Sequence, residues 1–312
     1  MTSAKKLVSI GVPTYNRSRY LAATVESLLA QDYRNIEIIV SDNASSDKTR
    51  EVVRQLQKRD SRLRYHRNEH NEGIIANFNR AFHEARGTYV AIAGDDDLYE
   101  PNYISRCLAQ FAAIPTAGLV ACAVDLIDAD GTFLRAVSEQ AYLRAPLSDC
   151  VADAKHVLYA GYGNLLMGIF RRDVLGGTSL FRYTWGSYID SADIVVLFDV
   201  ALRAPIIWIP DVLIHKRTGG YSSQPVYRSA GAVAATATAT ARELVRRSRS
   251  VPLSAADRRR LLRIVHRWSL SLFFAYRAEF CKSLVRALLP TPFRNHLRNA
   301  IRSRQHGIRQ GR

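Results

Sequence analysis

The sequence predicts an α/β protein with a mixed, mostly parallel sheet flanked by helices and a basic helical extension at its C-terminal end. Two observations predict this fold class. Short apolar runs alternate with segments whose apolar residues recur at helical spacing, and each run ends in a polar loop. This alternation is typical of a parallel sheet with right-handed crossover helices. The second observation is the charge: +15 of the formal net charge of +16 lies from Arg242 onward, where 18 Lys and Arg stand against three acids.

The composition is that of a globular protein. Its 312 residues, 47% hydrophobic and 23% charged, are enough for one large α/β domain with an appendage. The cysteines Cys107, Cys122, Cys150 and Cys281 lie among apolar residues without paired spacing, which favours buried free thiols over disulfides or a metal site. Because we find neither a signal peptide nor an apolar run of transmembrane length, we expect a cytoplasmic protein.

Strands and helices are predicted to alternate through the first part of the chain. Apolar runs predict strands at residues 7–12, 36–40, 63–66 and 89–93, and helical spacing predicts helices at about residues 18–31, 47–59, 74–85 and 102–113. Ser18 is a candidate N-cap of the first helix, and Ser46 or Asp47 of the second. Gly87 is expected to terminate the third helix.

Polar side chains follow three of these strands. They are Asp42, then residues 71–73, then the triplet Asp95, Asp96 and Asp97. Because ligands bind at the carboxyl ends of strands in open α/β sheets, we expect these side chains to face one cleft. Adjacent carboxylates suit Mg²⁺ or Mn²⁺, with phosphates of a substrate completing the ligand set. For the triplet taken alone, a solvated turn that caps the next helix is the alternative.

The second part of the chain gives weaker patterns. Strands are predicted at residues 118–127 and 132–137, around a turn in which Asp128 and Asp130 are interpreted as turn formers. Residues 159–164 are either an ordinary loop or part of an acceptor groove lined by tyrosines. Short strands at residues 206–209 and 212–214 precede a basic, glycine-bearing loop at residues 215–222.

Four motifs then give the chain a family resemblance. PTYNR (residues 13–17), SDNASSDKT (41–49), N-E-G (71–73) and GDDDLYEP (94–101), in this order and at these spacings, resemble the GT-A glycosyltransferases of the family 2 type. The resemblance covers about residues 8–222. It implies a GT-A (Rossmann-like) catalytic domain, which we place at residues 1–225, with residues 226–312 as the Arg-rich helical extension.

The resemblance implies an inverting transferase. Such an enzyme moves a sugar from a nucleotide-sugar donor, here expected to be UDP-linked, to a hydroxyl of a saccharide or lipid-linked acceptor. Carried over by residue, the donor contacts would be Pro13, Thr14 and Tyr15 around the nucleoside, Asp42 to the base and Asp95 to the ribose. Arg17, Asn71, Gly73 and Arg217 are the further donor-site candidates.

The same resemblance implies a site for Mn²⁺ or Mg²⁺. Asp96 would bind the ion, but the chain departs from the family at Gly94, where many members have an aspartate. That departure leaves Asp97 open as the main ligand, although we prefer Asp96. Arg217 matches the arginine of the family's R-x-H-x-G-S stretch, in a loop suited to a lid over a diphosphate. Thr218 or a neighbouring residue replaces the histidine of that stretch, so His215 is either a substitute ligand or, as we favour, a solvated histidine.

An aspartate at the start of a predicted apolar helix is the candidate general base. Inverting transfer needs one carboxylate to accept the proton of the attacking hydroxyl. Asp193 matches the family's aspartate at this helix, with Ala192 replacing a glutamate, and Asp190 is the alternative. Asp193 could instead be only an N-cap. Asp199 lies among apolar residues within the helix, and we interpret it as a paired structural acid.

The cationic extension contains a predicted amphipathic helix. Ser254 and Asp257 resemble a capping box, and the apolar stripe comprises Leu261, Leu262, Val265, Trp268, Leu272 and Tyr276. We expect this helix to associate peripherally with an anionic membrane surface at the inner membrane face. Packing of the helix on the catalytic domain is the alternative. Binding of nucleic acid is not expected, because the arginines belong to no recognisable nucleic-acid module.

Two other functional classes remain open at the level of sequence. A sugar-phosphate nucleotidyltransferase also uses acidic metal ligands on an α/β sheet, but it should have a glycine-rich first loop with Arg and Lys, where this chain has PTYNR. A non-enzymatic protein that binds carbohydrate or nucleic acid is the other class. Metal-dependent binding of UDP would separate it from a transferase.

Overall fold

The computed structural model describes residues 6–137, 149–160, 163–175, 192–219 and 230–288. Within these ranges, nine strands form one mixed sheet, which confirms the predicted fold class. The strands are β1 (Val8–Thr14), β2 (Ile36–Asp42), β3 (Leu63–Arg67), β4 (Tyr89–Ile92), β5 (Leu98–Tyr99), β6 (Leu119–Ile127), β7 (Phe133–Ala136), β8 (Ile169–Arg171) and β9 (Ile206–Arg217). The helices are α1 (Ser18–Leu29), α2 (Thr49–Gln57), α3 (Ile74–His83), α4 (Tyr103–Ala113), α5 (Cys150–Ala160), α6 (Ala192–Arg203), α7 (Ala230–Ser248) and α8 (Ala255–Leu288).

The sheet has the strand order β3-β2-β1-β4-β8-β6-β9-β5, and β7 pairs with β6. Strands β3, β2, β1 and β4 are parallel to one another, and β6 is parallel to β9. The short strands β5, β7 and β8 add antiparallel pairs. The carboxyl ends of β1, β2 and β4 therefore share one edge, which is where the polar loops were predicted to meet.

The central strands are covered on both faces. Every residue of β1 and β2 is buried, as expected for parallel strands between two helical layers. Ile38 and Val40 of β2 join one hydrophobic cluster, whereas Ile39 joins the cluster on the other face. This alternation follows from the two-residue period of a strand. The core thus holds the strand ends, and the loops that follow them, in fixed positions.

Helices α7 and α8 pack on this body. Leu261, Val265 and Trp268 of the predicted apolar stripe are buried in the same cluster as residues of α5 and α6, whereas Leu262 is exposed. For these three side chains, the structure therefore shows the alternative given above, in which the helix packs on the rest of the protein. Asp257 N–H donates to Ser254 Oγ (3.0 Å) at the start of α8, as the capping box predicts. Among the described helices, none is both long and apolar enough to span a bilayer.

Strand β9 differs from the prediction. We predicted two short strands followed by a loop, but one strand extends to Arg217 and pairs with β6 as far as Ile127. The pairing changes register near Cys122, so an irregularity absorbs the polar break in the sequence at Pro210. His215 and Arg217 consequently lie on a paired strand, and the loop begins only at Thr218.

Candidate active site

The aspartate triplet follows β4 at the carboxyl edge of the sheet. Asp97 is buried, and its Oδ1 accepts a hydrogen bond from the backbone N–H of Arg217 (2.9 Å) on β9. A Cβ at position 94 would lie only 2.3 Å from Asp97 Oδ2. Gly94 therefore leaves the space into which the Asp97 carboxylate folds back. This geometry gives a physical reason for the departure from the family pattern at this position.

Arg17 is the cation closest to the other two members of the triplet. Its Nη2 donates to Asp96 Oδ2 (3.1 Å), and its Nε lies 3.9 Å from Asp95 Oδ1. The PTYNR loop after β1 thus supplies a positive charge to the loop after β4. Both carboxylates are mostly buried but reach the surface of the edge.

Burial and mutual repulsion destabilise the charged forms of the aspartates in the triplet. Burial raises the pKa of Asp95 to about 6 and that of Asp97 to about 7, and the charge of Asp96 adds to both shifts. Each raised pKa reports a carboxylate that would be better stabilised by more positive charge nearby. The edge therefore favours a cationic ligand.

The metal-ligand set supplied by the chain is small. Among the described residues, no group of three or more His, Cys, Asp and Glu side chains is arranged to hold a metal ion. Asp97 is turned toward the Arg217 amide, which leaves Asp95 and Asp96 converging on the same guanidinium. Two carboxylates fit a Mg²⁺-type ion only when other oxygens complete its shell. The donor set thus fits an ion that arrives with phosphate groups.

Arg217 holds the backbone around the triplet. Its Nε donates to the carbonyl of Asp96 (2.9 Å), and its Nη1 donates to the carbonyls of Asp128 and Ala129 (2.8 Å each). Asp128 Oδ1 accepts hydrogen bonds from two amides of its own turn, which confirms its interpretation as a turn former. In this structure the buried Arg217 side chain therefore donates three hydrogen bonds to protein carbonyls.

The SDN loop after β2 is fixed around two buried side chains. Asp42 is fully buried; its Oδ2 accepts from the Tyr65 hydroxyl (2.6 Å) and its Oδ1 from the Ser45 amide (2.8 Å). Burial and this contact raise the pKa of Tyr65, so its hydroxyl remains a donor. Asn43 Nδ2 donates to Asn71 Oδ1 (2.7 Å), which joins this loop to the N-E-G loop as predicted.

Asn43 was not among the predicted site residues. Besides its bond to Asn71, its Oδ1 accepts from the Asn68 side chain (2.9 Å) and the Glu72 amide (3.0 Å). Gly73 follows with a positive φ of 85°, a conformation that glycine adopts without strain, and starts α3. Its position directly after Asp42, in the loop that follows β2, was the feature of the sequence that could have identified Asn43 as a site residue.

The PTYNR loop contributes a half-exposed aromatic ring. Tyr15 is 46% exposed and follows the end of β1, where Pro13 and Thr14 are buried. Thr14 C=O accepts from the Asn43 amide (2.9 Å). The loops after β1, β2 and β4 are therefore cross-linked, and the predicted donor-site residues from these loops lie along one edge.

The candidate base lies at the start of α6. Asp193 is in the first helical turn, and its Oδ1 accepts from the Ile194 amide (2.7 Å). The alternative base, Asp190, is outside the described residues. Asp199 is paired with Arg203 and with Arg247 of α7 (3.2 Å each), which confirms that it is a structural acid.

Both ring nitrogens of the half-buried His215 contact carboxylates, so it is neither a histidine bonded only to solvent nor one with a nitrogen left for a metal ion. Its Nδ1 lies 2.7 Å from Asp125 Oδ1, and its Nε2 lies 2.8 Å from Glu100 Oε1. Burial alone would lower its pKa, but the two carboxylates outweigh burial and raise the pKa. The β6–β9 register brings Asp125 opposite His215. Asp125 is an acidic residue within the otherwise apolar strand β6, and this feature of the sequence could have predicted a buried partner such as His215.

Comparisons with known proteins agree with the geometry of this edge. A glucosyltransferase of Campylobacter jejuni, named as acting on GalNAc(5)-diNAcBac-PP-undecaprenol, is 42% identical over 91 residues, which are 29% of either chain. The chain spans 59%, 29% and 45% of the length of the first three curated relatives that it matches.

Solved structures show a similar fold. Staphylococcus aureus TarS 1–349 in complex with UDP-GlcNAc has a TM-score of 0.65 at 19% identity, covering 86% of this chain and 73% of TarS 1–349. The mannosyltransferase PcManGT of Pyrobaculum calidifontis, in complex with GDP-Man and Mn²⁺, has a TM-score of 0.53 at 18% identity, covering 96% and 80%. The model of Glycosyl transferase family 2 matches residues 9–170, more than half of the chain. The resemblance drawn from the four motifs is thus confirmed, and the chain belongs to glycosyl transferase family 2.

Proposed function

We propose that this protein is an inverting glycosyltransferase that moves a sugar from a UDP-linked donor to a hydroxyl of a saccharide or lipid-linked acceptor. The observation that supports it best is the convergence of Arg17, Asp95 and Asp96 at the edge where the SDN loop also ends. This arrangement offers carboxylates, a guanidinium and an aromatic ring to one ligand. A nucleoside diphosphate has matching groups for all three.

The donor would bind along this edge. Pro13, Thr14 and Tyr15 would line the nucleoside pocket, and Asp95 would contact the ribose. Asp42 would orient the base, and the two hydrogen bonds that already fix its carboxylate preorganise it for that task. Asn71 and Gly73 would contribute from the N-E-G loop that Asn43 holds in place.

Asp96 would hold Mn²⁺ or Mg²⁺, and Asp97 remains the alternative ligand. The fixed contact of Asp97 with the Arg217 amide favours Asp96. When bound, the ion would supply Lewis-acid stabilisation of the charge that develops on the diphosphate. The chain's own residues then need to provide no acid for the leaving group. Arg217 would act here by fixing the Asp96 backbone, and Arg17 by offering its guanidinium to the phosphates once released from Asp96.

Asp193 would be the general base. At the first turn of α6 its carboxylate is held by the helix, and it would accept the acceptor hydroxyl's proton as the oxygen attacks the anomeric carbon. Asp190 is the alternative.

The acceptor is proposed from the relatives. The Campylobacter jejuni relative is named for an undecaprenol-linked acceptor, and another relative, from Bacillus subtilis, for teichuronic acid biosynthesis. We therefore place this protein in the assembly of a surface polysaccharide or glycolipid. A peripheral position at the inner face of a membrane is part of that proposal.

Calorimetric titration of UDP tests the donor site. We expect UDP to bind in Mn²⁺ and to lose most of its affinity in EDTA, because the chain offers the ion too few ligands alone. Asp96→Asn should abolish this metal dependence. Asp130→Asn, which alters an exposed aspartate whose ion-pair partner among the described residues is the surface Arg19, is the matched control and should behave as the wild type. Tight Mn²⁺ binding without nucleotide, or unchanged UDP affinity in EDTA, would contradict the proposal.

A panel of nucleotide sugars, assayed for donor hydrolysis with and without metal, then identifies the sugar. We expect UDP-linked sugars to be preferred. Hydrolysis of none of the donors, together with absence of UDP binding, would instead indicate a binding protein.

A further inference from the structure

An open cleft of about 790 Å³ lies between α5 and α8. Six side chains line it: Lys155, Tyr159, Arg260, Arg263, Ile264 and Arg267. Four of the six are cations and none is an acid. The cleft is thus a concave, positively charged surface, formed by different residues from those of the candidate active site.

The packing of α8 determines which residues reach this cleft. Leu261, Val265 and Trp268 are buried against the body and fix the rotation of the helix. At 3.6 residues per turn, Arg263 and Arg267 then point away from the core, and both are exposed. The positive charge at this surface is therefore a direct consequence of the buried stripe.

Most of this charge is unbalanced within the described part of the chain. Arg260 pairs with Asp149 (2.9 Å), but no ion pair is formed there by Lys155, Arg263 or Arg267. The side chain of Arg263 donates only to the carbonyl of Arg259 on its own helix. Like charges that face one cleft repel one another, so an anion bound between them would relieve this repulsion.

Apolar side chains surround these cations. Tyr159 is 51% exposed, and Leu262 and Leu270 on the outer surface of α8 are 41% and 42% exposed. Exposed leucines beside arginines fit a bilayer interface, where phosphates meet acyl chains. Binding of nucleic acid would be favoured by several stacking aromatic rings, and Tyr159 is the one aromatic side chain among the described residues that line the cleft.

We propose that this cleft binds the phosphate headgroups of an anionic lipid bilayer and seats the α5–α8 face of the protein on the membrane. The earlier expectation, in which the whole apolar stripe enters the membrane, is replaced by electrostatic docking of the opposite side of the helix. One link to the acceptor rests on the proposed function. Tyr159 of the cleft begins the segment 159–164, for which an acceptor groove was one of the two interpretations, and Asn164 Oδ1 at its end accepts from Lys216 (3.1 Å), next to Arg217.

Co-sedimentation of the full chain with vesicles tests the proposal without any donor or turnover, so failure of the transferase proposal would not affect it. We expect binding to phosphatidylcholine vesicles that contain phosphatidylglycerol, weakening at high salt, and no binding to phosphatidylcholine alone. Arg263→Glu/Arg267→Glu should reduce the partition coefficient by about 30-fold or more, as two surface cations would.

The chain offers a closely matched control. Arg54→Glu/Lys58→Glu makes the same charge change at the same four-residue spacing, on exposed positions of α2 and its C-cap. We expect it to change binding by much less than the α8 variant. Equal losses in the two variants would overturn the proposal, because overall charge alone would then explain binding.

Competition experiments with soluble ligands test whether the phosphate groups that the cleft binds belong to a lipid bilayer. Inorganic phosphate and glycerol phosphate should compete only weakly with vesicles; binding of either as tight as that of the bilayer, or preferential binding of an oligonucleotide, would overturn the membrane assignment. If thermal unfolding shows that the Glu variant is misfolded, Arg263→Gln/Arg267→Gln decides. That neutral variant must still weaken vesicle binding several-fold, and unchanged binding would overturn the proposal.

Discussion

The acidic edge and the cationic α5–α8 face treat charge in opposite ways. At the edge, Arg17 pairs with both Asp95 and Asp96 from another loop, and the Arg217 amide holds Asp97. On the α5–α8 face, Arg263 and Arg267 have no acidic partner among the described residues. Charged side chains that are paired within the chain hold a fixed geometry, as catalysis requires. Unbalanced charge leaves an attraction for a partner outside the chain, which is what docking requires.

The largest expected effect is a loss of turnover, and it should separate a catalytic role of Asp193 from a structural one. Asp193→Asn keeps the size of the side chain and its hydrogen bond to the Ile194 amide but cannot accept a proton, so turnover should fall by about 10² to 10⁴. UDP affinity should remain close to that of the wild type. Steady-state kinetics and calorimetry measure the two quantities.

If Asp193 is only an N-cap, asparagine serves nearly as well, and both activity and stability should stay within a few tenths of a kcal/mol. Near-normal transfer by Asp193→Asn, with Asp190→Asn inactive but folded and able to bind UDP, would move the base to Asp190.

The second prediction tests how strongly helix α7 is held against helix α6, which carries the candidate base. Asp199 of α6 binds Arg203 and also Arg247 of α7, and both Asp199 and Arg247 are about nine-tenths buried. Asp199→Ala should lower the free energy of unfolding by about 3 kcal/mol, the lower end for a broken buried pair, because Glu243 still neutralises Arg247. Chemical denaturation measures it. A change below about 1 kcal/mol would show that this contact hardly stabilises the docking of α7.

The third prediction concerns the packing of the acidic edge. Gly94→Ala places a methyl group 2.3 Å from Asp97 Oδ2, so the carboxylate must move and weaken its bond to the Arg217 amide. We expect a loss of about 2 kcal/mol in the free energy of unfolding. Gly131→Ala would be a poor control, since its positive φ adds strain of its own. Stability equal to the wild type would show that the triplet is less fixed than its contacts indicate.

The smallest effect is a pH dependence. The folded-state pKa of His215 is raised by Glu100 and Asp125, so its charged form stabilises the protein below the unfolded pKa of about 6.5, and this stabilisation is lost as pH rises through the folded pKa. The stability advantage of the wild type over His215→Gln should therefore shrink as pH rises above about 6.5. Thermal unfolding across this range measures it. His266→Gln, at an exposed position of α8, is the control, and an identical pH trend in both variants would exclude the pairing as the cause.

Local sequence was sufficient for the first four strands and for the edge where their loops meet, but it did not predict the short strand β5 at Leu98–Tyr99. Apolar runs such as Ile36–Asp42 form central strands with no competing pattern, and parallel order alone brings their ends together. The pairing of Arg17 with Asp96 joins residues 79 positions apart, so no local pattern could predict it.

The second part of the chain was predicted less well for a definite reason. Pro210 and Asp211 interrupt the apolar pattern of β9, and only the tertiary pairing with β6 carries the strand past them. Because the strand continues, His215 and Arg217 lie on β9 and make fixed contacts, whereas we predicted them in a loop. The rotation of α8 likewise depends on the body beneath it, which the sequence of the helix does not contain.

The guanidinium of Arg17 has a further consequence for how the free protein exists in solution. It is a tethered cation, so its local concentration at Asp95 and Asp96 does not fall when the ion content of the medium changes. The guanidinium supplies part of the positive charge that the two carboxylates need, and it does so without an ion from the medium. Only a ligand that offers new partners to the carboxylates and to the guanidinium together can exchange with it. Under the proposed function, Arg17 would therefore favour joint binding: a cation and a diphosphate together replace its contacts with Asp95 and Asp96, whereas either one alone replaces only part of them.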